Sequence, residues 1–543
     1  MNTFKRFITE NSNGEPIRLA WLAAASGLAS ALMLGLVNSA VNLAAEDKAL
    51  RWTEGAMFVA AFAFYYLAMK LALYGANALI ERLLRKLRVR FTNRIRHSEL
   101  AIVEPLGRGE LFTSLSQTTS RLSHIFPLVV NSLQELIIVI FCFFYIGYLS
   151  TVAFIVLVVA TGLTVRQYQK SRAAADRHYR QRLEGEAELL DSLSHMVDGF
   201  KEIRINKKKR MSLFETFKGL TQNLRDLAFD IAEAQVFLFL VTATFLYIML
   251  GAMAYVLPQY LDVEVFKLCA ALLFCIGPLA SVVGLMPLLW TAEAGLKSIY
   301  RLEELLEAGI REPLDPQPSS AELADFEQIK YRGITFRYGK PNDQETFRSG
   351  PWDITLNRGE LLFIVGGNGS GKSTVLKLLS GLYEAESGTI QVDDKPLSPG
   401  DRPGLRELFS CVFSDFHLFD KLYGAEDADP ARVDELLKEM GLAEKVRFQD
   451  GRFSDIHLST GQRKRLALIA SLLEDKDIYI FDEWTADQDA HFREYFYRQV
   501  LPDLQKSGKT VIVVTHDDRY WNVADRVLKF EYGVIVDSES ITE

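Results

Sequence analysis

Along the first 300 residues, apolar positions run in long blocks rather than alternating with polar ones. Six such stretches fall roughly at 18–44, 56–78, 126–149, 151–168, 236–257 and 266–290. Each is near or above the ~20 residues a helix needs to cross a bilayer, so the spacing predicts six membrane helices. The polar segments between them alternate in length. Loops 1–2, 3–4 and 5–6 are short, whereas loops 2–3 and 4–5 are long, amphipathic and basic. Arg82, Arg85, Lys86, Arg88, Arg90, Arg94 and Arg96 stand in the first long loop; Lys201, Arg204, Lys207, Lys208, Lys209 and Arg210 stand in the second. Positive charge marks the cytoplasmic side. The short loops carry Glu46, Asp47, Asp262 and Glu264 instead. Both termini and everything after the last span are therefore expected in the cytoplasm. The cluster Lys207–Arg210 also has the form of a nucleic-acid patch, but beside a membrane helix the topology accounts for it more directly. The long loops read as charged continuations of the membrane helices, broken near Glu104–Glu110 and Asp198–Arg204, where Gly and Pro fit a reversal of direction.

After residue 305 the pattern changes. A Pro- and acid-rich linker, 306–325, contains Pro313, Pro316 and Pro318. From Phe326 to 543, strand-length apolar runs alternate with helical spacings, as in a soluble α/β domain. The expected division is thus a membrane domain at 1–305, the linker, and an α/β domain at 326–543. Leu361–Val365 reads as a strand and Thr374–Ser380 as a helix. Between them, Gly366-Gly-Asn-Gly-Ser-Gly-Lys-Ser-Thr374 fits the phosphate-binding pattern G-x-x-x-x-G-K-[ST]. In such a loop the glycines let backbone N–H groups surround the phosphates, and the helix N-terminus adds positive potential. Gly366, Asn368, Gly369, Ser370, Gly371 and Thr374 are candidates for cradling ATP, with Lys372 reaching its β/γ-phosphates. The Ser373 hydroxyl is a candidate ligand for Mg²⁺. Ile478–Glu483 is an apolar strand ending in two carboxylates, Asp482 and Glu483. Val511–His516 is another, ending in a histidine.

Composition changes this picture little. The net charge of −8 argues against nucleic acid as a general partner. Residues 1–16 are polar and the first apolar stretch is too long for a cleavable signal peptide. The four cysteines form no disulfide framework: Cys142, Cys269 and Cys275 fall in membrane helices and Cys411 on a strand, where each reads as a small packing residue.

Leu458-Ser-Thr-Gly-Gln462 resembles the LSGGQ signature of ABC ATPases, with Thr460 in place of its first Gly. Ala486-Asp-Gln-Asp489 follows the carboxylate strand at D-loop spacing. With six helices, two long inner loops and one ATPase, the chain resembles a half-size ABC exporter. The fold class implied is an α-helical six-helix transmembrane domain fused to a cytoplasmic α/β P-loop ABC ATPase domain, in the type IV exporter-like architecture. The resemblance also implies roles. Tyr338 would stack on adenine and Asp482 would hold Mg²⁺. Glu483 would activate the attacking water, and His516 would contact the γ-phosphate. Ser459, Gly461, Gln462 and Asp489 would serve ATP bound by a second subunit, so one ATPase per chain implies a homodimer. Coupling helices at the tips of the long loops would dock on the ATPase.

Three features depart from the family pattern. Ser414 stands where the Q-loop usually carries a Gln, and is a candidate Mg²⁺ ligand. The stretch Ser414–Ser459 is compact. Trp484 follows Glu483 where Ala is usual. Together with Phe413–Asp420, Phe481–Asp489 and Thr515–Asp518, these look like bacterial cyclic-peptide and siderophore exporters, the group that includes pyoverdine-precursor, lipopeptide and lasso-peptide microcin exporters. Export of a peptide-derived metabolite from cytoplasm to periplasm across the inner membrane is what this implies. A lipid or lipopeptide flippase and a non-transporting ABC regulator are the competing readings. Polar residues inside membrane helices mark candidate substrate paths. They are Asn38, Ser39 and Asn42 on the first, Lys70 on the second, Asn131, Gln134 and Glu135 on the third, and Thr242 and Thr244 on the fifth. Lys70 and Glu135 also suit snorkelling or a helix–helix pair. Pro278 and Pro287 would kink the sixth helix. No cysteine-protease domain precedes the first helix, so no leader-peptide trimming is expected.

Overall fold

The structure, a computed structural model, describes the chain except residues 1, 12–13, 46–51, 107–110, 257–258, 260–264, 311–322, 324, 339–346 and 541–543. It divides into two compact units. One is Met1–Arg96 with Glu104–Ala308; the other is His97–Val103 with Gly309–Glu543.

The first unit is helical. Its helices are α1 (Asn2–Asn11), α2 (Glu15–Ala45), α3 (Trp52–His97), α5 (Thr118–Leu149), α6 (Thr151–Asp198), α7 (Phe200–Ile205), α8 (Lys207–Gly251) and α9 (Val265–Ala308), with α4 (Leu100–Val103) in the second unit. Among the described residues, five helical spans are long and apolar enough to cross a membrane: Glu15–Val41, Trp52–His97, Ser114–Leu149, Phe239–Val256 and Lys267–Ala308. Five of the six expected spans are therefore found among the described residues, and the remaining one is not confirmed. The fourth expected span falls on the start of α6, where the apolar stretch Thr151–Leu163 is shorter than the rest. The charged loops do continue the helices. At 1.5 Å per residue, the 46 residues of α3 are about 70 Å long, more than twice the ~30 Å hydrocarbon core. Part of the basic charge read as a topology signal is also used internally. Glu303, almost fully buried, accepts from Arg90 at 2.8 Å and lies 3.3 Å from Arg94, which ties α3 to α9. A buried carboxylate is tolerated because two guanidinium groups neutralise it. The break expected near Asp198–Arg204 is present: α6 ends at Gly199 and α7 follows, with Phe200 and Ile205 exposed. Of the other expected break, residues 107–110 lie outside the described residues. The short helix there, α4, comes just before it, and Leu100 packs beside the second unit's core.

The second unit holds two main sheets. An antiparallel sheet has the order β2-β1-β4-β5, from β1 (Gln328–Arg337), β2 (Arg348–Asn357), β4 (Ser387–Val392) and β5 (Lys395–Pro396). The larger sheet has the order β12-β11-β3-β10-β9-β6. Its strands are β3 (Leu361–Gly366), β6 (Phe409–Val412), β9 (Ile478–Asp482), β10 (Thr510–Val514), β11 (Arg526–Glu531) and β12 (Val534–Ser540); β7 (Phe448–Gln449) and β8 (Arg452–Phe453) form a separate hairpin. All neighbours in the larger sheet are parallel except β11 and β12. Strands covered on both faces read as continuous apolar runs, as β3, β9 and β10 do. Leu361, Phe363 and Val365 point into a core shared with α11 (Pro430–Glu439) and α12 (Thr460–Leu473). Leu362 and Ile364 point the other way, into a core with Val375, Leu376 and Leu379 of α10 (Lys372–Leu379).

Candidate active site

Four parallel neighbours bring the motifs to one edge. The register pairs Val514 with both Ile364 and Asp482, and Val412 with Phe481. The carboxyl ends of β3, β10, β9 and β6 therefore lie side by side, the position where open α/β sheets bind ligands. The phosphate loop follows β3, His516 lies two residues past β10, Glu483 follows β9, and Ser414 lies two residues past β6.

The phosphate loop has its expected shape for a steric reason. Gly366 has φ +150°, and a Cβ there would lie 2.2 Å from the Phe530 carbonyl oxygen. Gly371 has φ +99° and caps α10; a Cβ there would lie 2.7 Å from Phe347 Cζ. Lys372 is buried and donates to the carbonyls of Gly366 and Gly367 at 3.0 and 3.1 Å. A cavity of about 370 Å³ is lined by Asn368–Thr374, Tyr338, Phe347 and Glu483. The buried Ser370 hydroxyl lacks a hydrogen-bond partner among the described residues, as befits a group that meets a phosphate oxygen. Tyr338 presents its ring at the mouth and meets Thr374 through its hydroxyl at 3.1 Å. Phe347 was not legible in the sequence, since no motif marks it.

The three residues expected around Mg²⁺ converge. Ser373 and Ser414 both donate to Oδ2 of Asp482, each at 3.1 Å. Burial pushes the Asp482 carboxyl above its ordinary range, and the two serine hydrogen bonds oppose that rise. Among the described residues no group of three His, Cys, Asp or Glu side chains could hold a metal ion. One carboxylate with hydroxyls suits Mg²⁺, which keeps several waters and takes substrate phosphates as ligands.

Glu483 adopts φ +50° and ψ 38°, a left-handed conformation that costs a non-glycine residue roughly 1–2 kcal/mol. Its Oε1 lies 3.0 Å from His516 Nε2 and 3.8 Å from Lys372 Nζ. Glu483, His516 and the phosphate-loop lysine thus meet at one oxygen.

The signature loop opens α12. Ser459 is its N-cap, and Ser459 and Gln462 form a capping box, each side chain accepting from the other's backbone N–H. Thr460 is the first helical residue and is exposed, so a side chain is accommodated there. Gly461 is not replaceable in the same way, because a Cβ would lie 2.5 Å from the Asp487 carbonyl oxygen. Gln488 donates to the Gly461 carbonyl at 3.0 Å, so signature and D-loop form one surface. Asp489 caps α13 (Ala490–Tyr495) by accepting from Phe492 N at 3.0 Å. None of these residues lines this chain's own nucleotide cavity.

In the membrane unit, Asn38 is buried and donates to Tyr145 at 3.1 Å. Ser39 donates to Glu54 at 3.3 Å. Gln134 is buried, and Glu135 stands one turn from Asn131 on the same helix. Lys70 is exposed, its ammonium 6.0 Å from the Tyr74 ring. The side chains of Asn42 and Thr242 lie outside the described residues. A cavity of about 480 Å³ brings Arg121, His124, Arg182 and Glu186 against Ile231 and Leu288. It was missed because its charged residues stand beyond the apolar cores of their helices.

Residues 350–486 match the ABC transporter family. The chain is 31% identical over 530 residues to the ATP-binding protein SyrD of Pseudomonas syringae, covering 94% of this chain and 92% of that protein. It is 27% identical to an ATP-dependent lipid A-core flippase of Ralstonia nicotianae over 90% of this chain and 84% of the flippase. A bacterial Atm1-family ABC exporter solved with ATP bound has the same fold, with a TM-score of 0.79 at 17% identity, covering 99% of this chain and 95% of that one. With its ATPase motifs at one sheet edge and a helical unit long enough to span a bilayer, the chain belongs to the ABC transporter family, as an exporter half-transporter that uses ATP to drive transport.

Proposed function

We propose that the chain exports a peptide-derived metabolite, such as a cyclic or lasso peptide or a siderophore precursor, outward across the bacterial inner membrane as a homodimer. Residues 1–305 would form the membrane domain, 306–325 the linker and 326–543 the cytoplasmic ATPase. The observation that carries this reading is the joining, in one chain, of a full hydrolytic set with a membrane unit that holds a mixed charged and apolar cavity. Arg121, Arg182 and Glu186 beside Ile231 and Leu288 suit an amphipathic product that carries both charge and apolar surface. The motifs Phe413–Asp420 and Phe481–Asp489 add the likeness to peptide and siderophore exporters.

Each residue has a part in hydrolysis, which is chiefly positioning and charge stabilisation. Lys372 and the loop amides bind the phosphates, while Tyr338 stacks on the base. Glu483 orients water and accepts its proton, and His516 holds the Glu483 carboxylate in place. Asp482, Ser373 and Ser414 would hold Mg²⁺, which when bound neutralises charge on the β- and γ-phosphates. Ser459, Gly461, Gln462 and Asp489 would act on ATP held by the second subunit.

Deleting the gene is expected to leave the product or its precursor inside cells and to remove it from the medium, as measured by mass spectrometry of both fractions. The alternative of a lipid flippase is favoured by the relationship to lipid A-core flippases over 90% of the chain. Unchanged secretion of peptide products with disturbed lipid asymmetry would establish that alternative.

Ser414→Ala tests the Q-loop position. It removes one of two hydroxyl donors to Asp482, worth ~1 kcal/mol for an ordinary hydrogen bond. ATP affinity is therefore expected to fall by about fivefold at most. Stimulation of ATPase by transported substrate is expected to be lost, because Ser414 stands at the Q-loop position and leads into Phe416 and the exposed Phe419. A collapse of affinity with stimulation intact would make Ser414 chiefly a metal ligand.

A further inference from the structure

The left-handed backbone of Glu483 is held from outside its own loop. Lys464, on α12, is 4% exposed. Its ammonium donates to the Glu483 carbonyl oxygen at 2.9 Å and lies 2.7 Å from Asp487 Oδ2. In the opposite direction, the indole N–H of Trp484 donates to the Lys464 carbonyl at 2.8 Å. The Trp484 ring, 1% exposed, stacks on Phe496 with centroids 4.5 Å apart. The peptide 483–484 is thus gripped at both ends by one residue: its first carbonyl by the Lys464 side chain, and its second side chain by the Lys464 backbone. The Trp484 bond is buried and the Lys464 bond part-buried, and away from water a hydrogen bond is electrostatically stronger.

We infer that Lys464 and Trp484 are positioning residues for hydrolysis, forming a clasp that keeps the Glu483 backbone left-handed so that its carboxylate meets His516 and Lys372. The clasp also joins the base to the signature helix, since Ser459 and Lys464 stand five residues apart on α12. Movement of the signature surface is thereby transmitted to the Glu483 carbonyl. A plain structural ion pair would need only Lys464 and Asp487; it would not explain the contact with the Glu483 carbonyl or the returning bond from Trp484. The inference rests on Glu483 being the base.

The test uses the full chain in nanodiscs and measures kcat and KM for ATP, with the thermal midpoint alongside. Lys464→Met keeps the length of the side chain and removes its donors. It is expected to lower kcat about 10²-fold, the effect of a displacement of ~1 Å at a reacting group, with KM for ATP within about twofold. It also removes the ion-pair partner of the half-exposed Asp487 carboxylate, which lowers the thermal midpoint modestly. The double variant Lys464→Met/Asp487→Asn removes that unpaired charge. Its thermal midpoint is expected to recover while its kcat stays about 10²-fold below that of Asp487→Asn alone. Recovery of kcat together with the midpoint would reduce Lys464 to an ion-pair partner and overturn the inference. Trp484→Phe keeps an aromatic ring against Phe496 but removes the indole N–H together with the five-membered part of the ring. It is expected to lower kcat about tenfold at unchanged KM, and an unchanged kcat would overturn the clasp even if the Lys464 variants fail to fold. Should Glu483→Gln itself turn over normally, the assignment of the base fails instead. If Glu483→Gln is inactive while Trp484→Phe and the double variant hydrolyse normally, only the clasp falls.

Discussion

Glu483→Gln is expected to abolish steady-state hydrolysis and to leave ATP binding intact. Lys372, the Ser370 hydroxyl and the loop amides are the groups that would hold the phosphates, and of these the substitution reaches only Lys372, whose ammonium lies 3.8 Å from the exchanged oxygen. The carboxylate oxygen 3.0 Å from His516 would be replaced by an amide that cannot take a proton from water. Loss of a positioned base typically costs about 10²–10⁴-fold. The amide is nearly the same size, and the backbone clasp on residue 483 does not involve the side chain, so the fold is expected to be kept. The variant should therefore collect as an ATP-bound closed dimer, visible by size-exclusion chromatography with nucleotide retained. Near-normal turnover in purified protein would remove Glu483 from the role of base.

The second large effect is expected from dividing two damaging substitutions between subunits. Lys372→Ala removes the buried ammonium from the phosphate loop, and Ser459→Arg places a long charged side chain on the signature surface. Ser459 and Gly461 do not line the nucleotide cavity of their own chain, so each ATP would lie between one chain's phosphate loop and the other chain's signature. With the two substitutions on opposite subunits, both fall in the same composite site and the other site is intact. Roughly half of the activity is expected to remain. With both on one subunit beside a wild-type partner, each composite site carries one defect. Removing a single stabiliser of developing charge costs about 10²–10³-fold, so activity is expected to vanish. Tandem purification of doubly tagged dimers, followed by phosphate release, separates the two arrangements. Equal activities in both would argue against a head-to-tail dimer.

Much of the molecule was readable along the chain because its signals are local. Apolar runs longer than a soluble helix needs placed the membrane helices, and α2, α3, α5, α8 and α9 carry five of the predicted spans. The fourth run lies at the start of α6, where the described apolar stretch is Thr151–Leu163. The apolar runs of β3, β9 and β10 reflect burial on both faces, and each motif stands where one of those strands ends. Some of the polar residues proposed for the substrate path have partners on other helices that no local pattern reveals. Periodicity could place Asn131 and Glu135 on one helix face, but it had no means of showing that Asn38 is occupied by Tyr145.

The sequence by itself determined the division into a membrane half and an ATPase half, the strand–loop–helix setting of the phosphate loop, and the residue types available for chemistry. Length, hydrophobic period and the conformational needs of glycine act over a few neighbouring residues, so they leave a mark in the order of amino acids. The tertiary structure alone decided which distant groups meet. Parallel pairing of β6 with β9 and of β9 with β10 delivered Ser414 to the Asp482 oxygen already bonded by Ser373, and His516 to Glu483. Packing of α12 on the D-loop decided that Thr460 is tolerated where Gly461 is required, and that Lys464 reaches the backbone of Glu483. These contacts join residues 19 to 109 positions apart, and they depend on strand order and on the depth of each side chain, neither of which any local pattern of polar and apolar residues encodes.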